Sequence, residues 1–387
     1  MKKSLLALAA MGAFAGAAQA QSSVTVYGLI DMGLTSITTD NTARTGGAVT
    51  NATATETGNN GRMSGSRLGF RGVEDLGGGT TAGFTLEMGP DFTEQVNGIN
   101  TGTRLGFLSL SNKQVGGLHV GRQVSSTKAV NDGFTAFGNA NFATGNVTGA
   151  GLSSATMSQS TASTSAAASN AATQGALGNA NGGERISNLI RYTTPAFIPG
   201  LTASAGLYKT ATSNASTAAV IIGDANGEGQ DFGIRYTMGA IDAMAAYSVY
   251  NTTNGSSFDM TNKNTVMSLG ASYDAKIVKG FVAYNKRDYE VSTTANSLIK
   301  FTDITVGVNA PVGNANLLLA YSSGTDDSAV QKTDKSGFQV GAVYNLSKRT
   351  NVYAVYGTGK AESATLGNTT NSKSVASGTA IGVRHTF

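Results

Sequence analysis

The sequence predicts an all-β fold, a transmembrane antiparallel β-barrel of 16 strands, and three observations predict it. The composition suits a large paired sheet: 4 prolines against 51 glycines, and only 13% charged residues. Proline removes a ladder donor, whereas glycine serves turns and close backbone approach. Next, the chain divides into segments that alternate apolar and polar residues with a period of two, and the last of them runs to the carboxy-terminal Phe387. Finally, short turns alternate with long polar connections, the layout of a barrel with one tight rim and one looped rim. After the first twenty residues no apolar run approaches the ~20 residues of a membrane helix.

The first residues, MKKSLLALAAMGAFAGAAQA, read as a cleaved secretory signal. Lys2 and Lys3 precede an apolar stretch from Leu5 to about Ala18, and Ala18-Gln19-Ala20 is a small-residue cleavage site. The predicted organisation is a signal over residues 1–20 and one barrel over residues 21–387. The first mature strand, Val24 to Ser36, puts Val24, Val26, Ile30 and Met32 on one face and Thr25, Tyr27, Leu29 and Asp31 on the other. Strands follow at Ser64 to Leu76, Thr80 to Asp91, Gly102 to Asn112 and Leu118 to Gln123. After a gap come Arg185 to Thr194, Leu201 to Lys209, Asp231 to Met238, Asp242 to Asn251 and Asn264 to Asp274. Then come Lys279 to Glu290, Lys300 to Ala310, Ala315 to Ser322, Gly337 to Leu346, Asn351 to Lys360 and Ser374 to Phe387.

Short connections such as Gly77 to Gly79, Val115 to Gly117 and Pro311 to Asn314 alternate with long stretches such as Ile37 to Met63, Ala211 to Gln230 and Ala361 to Lys373. An even count returns both ends to one rim, so the first strand, from Val24, pairs with the last, ending at Phe387, and no open edge is left in lipid. Phe387 then lies with Ile381 and Val383 on the lipid side, in an interfacial aromatic girdle.

Residues 124–183 break the rhythm. A structureless loop beyond ~15 residues is uncommon unless it is functional or disordered. The Ser/Thr/Ala-rich part from Thr148 to Gly183 reads as a surface loop. Val124 to Asn146 carries Lys128, Asp132, Phe134, Phe137 and Phe142, and aromatics at that spacing predict a packed segment.

Without Lys2 and Lys3 the mature chain has 25 basic residues, 12 of them arginine, against 23 acidic. So even a balance argues against nucleic acid as a partner. There is no cysteine to staple the fold. His119 and His385 stand far apart and fit no metal-ligand spacing. A G-x-S-x-G elbow is absent, and Gly357 to Lys360 (GTGK) lacks the flanking residues of a phosphate loop. The expectation is no enzyme, no cofactor and no metal.

Arg67 and Arg71 lie four apart, so they share a strand face, while Leu68 and Phe70 share the other. One reading makes them ordinary ion-pair partners of Glu74 or Asp75. The other makes them a fixed positive wall over water, since guanidinium stays charged at any relevant pH.

The sequences SSVTVYGLIDMGL, SGSRLGFRGVEDLGGGTTAGFTLE, RLGFLSL, LHVGRQ and the terminal GVRHTF resemble those of the general, non-specific porins of Gram-negative bacteria, particularly of β-proteobacteria. The resemblance spans essentially the whole mature chain. It implies a homotrimer in the Gram-negative outer membrane, in contact with the lipid bilayer and lipopolysaccharide, that lets small hydrophilic solutes and ions diffuse passively. It also implies that the long third loop, residues 124–183, folds into the lumen. By the same resemblance Arg67, Arg71 and Arg104 line one side of the pore constriction, Arg185 is the nearest match to a further basic residue, and Arg122 lies near the subunit contact. The acidic segment of many relatives' third loop is missing, leaving Asp132 as the best candidate for the acidic counterpart, and Lys128 of the same loop is counted among the constriction residues. With more arginines than loop acids, weak to moderate anion preference follows. The alternatives are a solute-specific channel and a plugged structural or adhesive barrel.

Overall fold

The computed structural model describes residues 23–43, 49–60, 63–91, 100–138, 185–209, 227–254, 260–291, 297–328, 331–365 and 371–387. Within them lie seventeen strand segments and one helix. In order they are β1 (Ser23–Ala43), β2 (Val49–Asn60), β3 (Arg67–Gly77), β4 (Thr80–Asp91), β5 (Asn100–Asn112), β6 (Gly116–Val124), α1 (Ser126–Gly133), β7 (Arg185–Thr193), β8 (Leu201–Lys209) and β9 (Gly227–Met238). There follow β10 (Ile241–Asn254), β11 (Met260–Asp274), β12 (Lys279–Val291), β13 (Ser297–Val312), β14 (Ala315–Ser328), β15 (Gln331–Asn345), β16 (Thr350–Thr365) and β17 (Asn371–Thr386).

All pairings are antiparallel, and from β3 onward each strand pairs with its neighbour in sequence. β1 has β17 on one edge, and on the other first β2, opposite Met32 to Thr42, then β3, opposite Ser23 to Leu29. β2 and β3 therefore share one position, and seventeen segments close a sixteen-strand barrel. Closure leaves no ladder edge in lipid, where each unpaired backbone group would cost several kcal/mol.

The two faces differ as a barrel in lipid requires. On β1, Val24, Val26, Ile30 and Leu34 are exposed, while Asp31, Thr35 and Thr39 of the opposite parity are buried. On β13, Ile304, Val306, Val308 and Val312 face out, and Asp303 and Thr305 face in. Eight steps from Ile304 to Val312 cover ~27 Å along a strand. At a tilt of ~40° that projects to ~21 Å, close to the ~25 Å apolar band of such barrels. Among the described residues no helix is long and apolar enough to cross a membrane.

The terminal strand is held at its very end. Phe387 N–H donates to the Gly28 carbonyl at 3.1 Å, and Gly28 N–H donates to the Phe387 carbonyl at 3.0 Å. The pairing continues from Leu29 opposite Thr386 upward. Val24, expected at this seam, lies below it and pairs with Gly72 of β3, because β17 ends before reaching that level.

Asp31, 0% exposed, ties the seam together. Its carboxylate accepts from Ser64 N–H at 2.7 Å and from the Tyr353 hydroxyl at 2.7 Å, and its backbone N–H donates to Ser66 Oγ at 3.1 Å. Arg384 donates to Ser64 Oγ at 3.0 Å. One carboxylate thus links β1, β16 and the bend between β2 and β3.

Two expectations need correction. Ile37 to Met63, predicted as a long connection, is largely strand: β1 continues to Ala43 and β2 pairs with it. Above the apolar band neither face has to be hydrophobic, so alternation disappears while threonine still favours strand. Ala361 to Lys373 likewise contributes strand at both ends, with residues 366–370 outside the described part. The expected signal, residues 1–20, and residues 139–184 of the long loop also lie outside it.

Candidate functional site

Three arginines gather on the inner side of β3 to β5. Arg71 lies over the Tyr27 ring, 5.4 Å from its centroid. The Tyr27 hydroxyl donates to Glu87 at 3.2 Å, and Arg104 Nε donates to the other Glu87 oxygen at 2.6 Å, an ion pair. Arg67 Nε donates to the Gly65 carbonyl at 3.3 Å, and its charge lies in the field of Arg104, Glu87 and Asp132. The wall is glycine-lined where this crowding demands it. A Cβ on Gly69 would enter the Tyr27 ring, and one on Gly89 would stand 3.2 Å from Arg104 Cδ.

A bulge aims Arg104 inward. On β5, Leu108 and Leu110 face out, so strict alternation puts Arg104 on the lipid side. The register slips between Glu87 and Met88, which stand opposite Leu105 and Thr103, and the slip turns Arg104 toward Glu87.

After β6, Ser125 caps α1, its hydroxyl accepting from Lys128 N–H at 3.1 Å. Lys128 Nζ pairs with Asp132 at 3.1 Å, one turn on. The buried carboxylate of Asp231 accepts from Ser126 N–H at 2.9 Å, Ser126 Oγ at 2.6 Å and Ser248 Oγ at 2.8 Å, and pairs with Arg191 at 2.7 Å. Further along, Asn131 Oδ1 accepts from Asn285 Nδ2 at 2.9 Å. Asp231, Ser248 and Asn285 all belong to the face opposite the exposed apolar one. Phe134, 0% exposed, lies against Gly270, with the Arg235 guanidinium 5.7 Å from its ring centroid. The packed segment expected between Val124 and Asn146 is thus present over the part described, residues 125–138.

Of the sequence-predicted residues, Arg67, Arg71 and Arg104 meet on one wall, and Lys128 pairs with Asp132 on α1. Arg185 opens β7 opposite Val124, beside the base of α1, with β6 between it and β5. Arg122 bonds the Thr103 carbonyl at 2.9 Å and Ser187 Oγ at 2.6 Å, bracing β5 and β7. Glu87 is not among the sequence-predicted residues, and Tyr27, on the polar face of the first strand, joins the arginines through Arg71 and Glu87. Glu74 is exposed and Asp75 accepts from Gly77 N–H in the turn, so neither serves the arginines. The alternation Phe84, Thr85, Leu86, Glu87 already carried the signal for an inward acid.

A closed sixteen-strand barrel with an apolar outer band and a charged inner wall is an outer-membrane channel protein. A model of the Gram-negative porin family matches residues 7–364. An outer membrane porin of Bordetella pertussis is 30% identical with the whole of each chain covered. Outer membrane porin protein 32 of Delftia acidovorans is 31% identical over 91% of this chain and 88% of its own. Among solved structures, an anion-selective porin from Comamonas acidovorans shares the fold, with TM-score 0.66, 23% identity, and 95% of this chain and 100% of that one covered. The chain belongs to the Gram-negative porins, and its place is the outer membrane.

Proposed function

We propose that this porin is a water-filled path for small hydrophilic solutes and ions with a weak to moderate preference for anions. Its constriction lies between the arginine wall of Arg67, Arg71 and Arg104 and the loop of residues 124–183, entering from α1. Arg185 adds charge near the base of that loop. The observation that carries the reading is the charge balance among the described residues of this site: Arg67, Arg71, Arg104 and Lys128 stand against Glu87 and Asp132. Lys128 offsets the one loop acid directly, so the transverse field is weakened while the net positive potential remains, and rings of one sign bias which ions pass. Residues 1–20 are the export signal, and the assembly is a homotrimer embedded among lipid and lipopolysaccharide, with Arg122 near the subunit contact. The anion-selective character of the Comamonas neighbour agrees with this assignment.

The test is single-channel current across a planar bilayer under a salt gradient. Ohmic steps with a reversal potential favouring chloride are expected. A reversal potential favouring potassium overturns the anion assignment, and silence despite verified insertion overturns the open pore in favour of a plugged barrel.

A further inference from the structure

Four glycines on alternate strands of the far wall stand under four consecutive contacts of the segment that follows β6. A Cβ on Gly233 of β9 would lie 3.0 Å from Ser126 Oγ, and one on Gly270 of β11 would lie 2.8 Å from Phe134 Cβ and inside its ring. On Gly307 of β13 it would lie 2.9 Å from Ala136 Cβ, and on Gly341 of β15 3.0 Å from Phe137 Cε1. The register makes these a single diagonal track. Gly233 pairs with Ala246, Gly270 with Ala283, Gly307 with Ala320 and Gly341 with Val355, each pair two residues further along its strand than the row reached from the last. The strands between the glycines therefore also present small side chains, three alanines and a valine.

We propose that this track, together with Asp231, is a seat that fixes how far residues 125–138 reach from the wall into the channel. Gly233, Gly270, Gly307 and Gly341 are then positioning residues for permeation although they touch no solute. The proposal rests on the loop-constriction reading above. Asp231 fixes the near end through Ser126, and Asn285 holds Asn131 midway. Beyond them Arg235 stacks on Phe134, and Phe134, Ala136 and Phe137 lie flush because the wall presents glycines there, flanked by small side chains. Close-packed contacts cannot absorb an added methyl, so a side chain at Gly270 pushes the segment inward. Arg67, Arg71 and Arg104 occupy β3 to β5, so the seat and that arginine wall lie on different sides of the barrel and can be changed separately.

The experiment compares wild type, Gly270→Ala, Phe134→Ala and the double variant in planar bilayers. Gly280→Ala, where an added Cβ meets open space, is the control. Gly270→Ala is expected to lower single-channel current by about half and to slow a larger neutral sugar more than a smaller one, as a narrower pore must. Its reversal potential stays at the wild-type value. The double variant restores the current, because shrinking Phe134 vacates the space that the methyl takes. Wild-type current in Gly270→Ala, or failure of the double variant to recover, overturns the seat. Should Gly270→Ala not insert, Phe134→Ala alone decides: a larger, noisier current supports the seat and an unchanged one sinks it. A silent wild type would sink the pore reading itself, an outcome distinct from either.

Discussion

Arg104 shares Glu87 of β4 with Tyr27, so among the described side chains of this wall three guanidinium groups stand with one carboxylate. A unit charge ~5 Å from a passing ion in a water-like dielectric is worth ~0.8 kcal/mol, about a fourfold change in relative permeation. Arg67→Ala and Arg104→Ala should therefore each change anion and cation permeation in opposite directions by about that factor, lowering the anion-to-cation permeability ratio by up to ~16-fold before salt screening. The reversal potential under a salt gradient reads it, and unchanged values would reduce both residues to ordinary inward ion pairing. Glu87→Gln keeps the shape of the site and removes its negative charge. It should raise the same ratio by a comparable factor, and a fall would mean that Glu87 matters only as the group that holds Arg104 in place. The sharing of a face by Arg67 and Arg71 was legible from spacing alone. The inward aim of Arg104 was not, because a one-residue register slip between two strands leaves no mark in either strand read singly.

At the scale of elements, the legible strands were those that cross the apolar band, since only there does lipid impose a period of two. β2 escaped notice for the complementary reason: from Val49 to Thr55 it pairs with β1 beyond the apolar row that ends at Leu34, and the whole segment to Asn60 reads as a polar loop. The short α1 was legible as a packed segment through Phe134 and Phe137 but not as a helix, since eight residues are too few to show a 3.6 period. The bend between β2 and β3 rests on Asp31, and Asp31→Ala would leave Ser64 N–H and the Tyr353 hydroxyl without this acceptor. An unmet buried donor costs ~1–3 kcal/mol, so the seam joining β1 to β17 should loosen. The expected outcome is a barrel that unfolds at lower temperature, seen as loss of the compact band on unheated gels, with the reversal potential of inserted channels unchanged. A variant as heat-resistant as wild type would show that the backbone ladder from Gly28 to Phe387 holds the seam unaided.

For the whole molecule, the outer surface states where the membrane lies. Outward ion pairs Lys286–Asp288, Lys332–Asp334 and Lys360–Glu362 crown β12, β15 and β16 at 3.5, 3.6 and 2.8 Å. Below them the outward row of Val282, Val306, Tyr321 and Phe338 carries no charge. The upper edge of the apolar band must run between these levels, since an ion pair gains its hydration only outside hydrocarbon. Val306 lies within the band, and Thr302, two outward positions above it, pairs with Lys286 at its edge. An arginine near the midplane costs ~2–4 kcal/mol and one near the interface ~0–1 kcal/mol. Val306→Arg should therefore destabilise the barrel by the larger amount and Thr302→Arg by the smaller, measured as the shift in denaturant midpoint for reversible folding into vesicles. Equal penalties would move the membrane boundary above Thr302 and place the charged crown in the headgroups, while a negligible penalty at Val306 would mean that β13 faces protein in the assembly and is shielded from lipid.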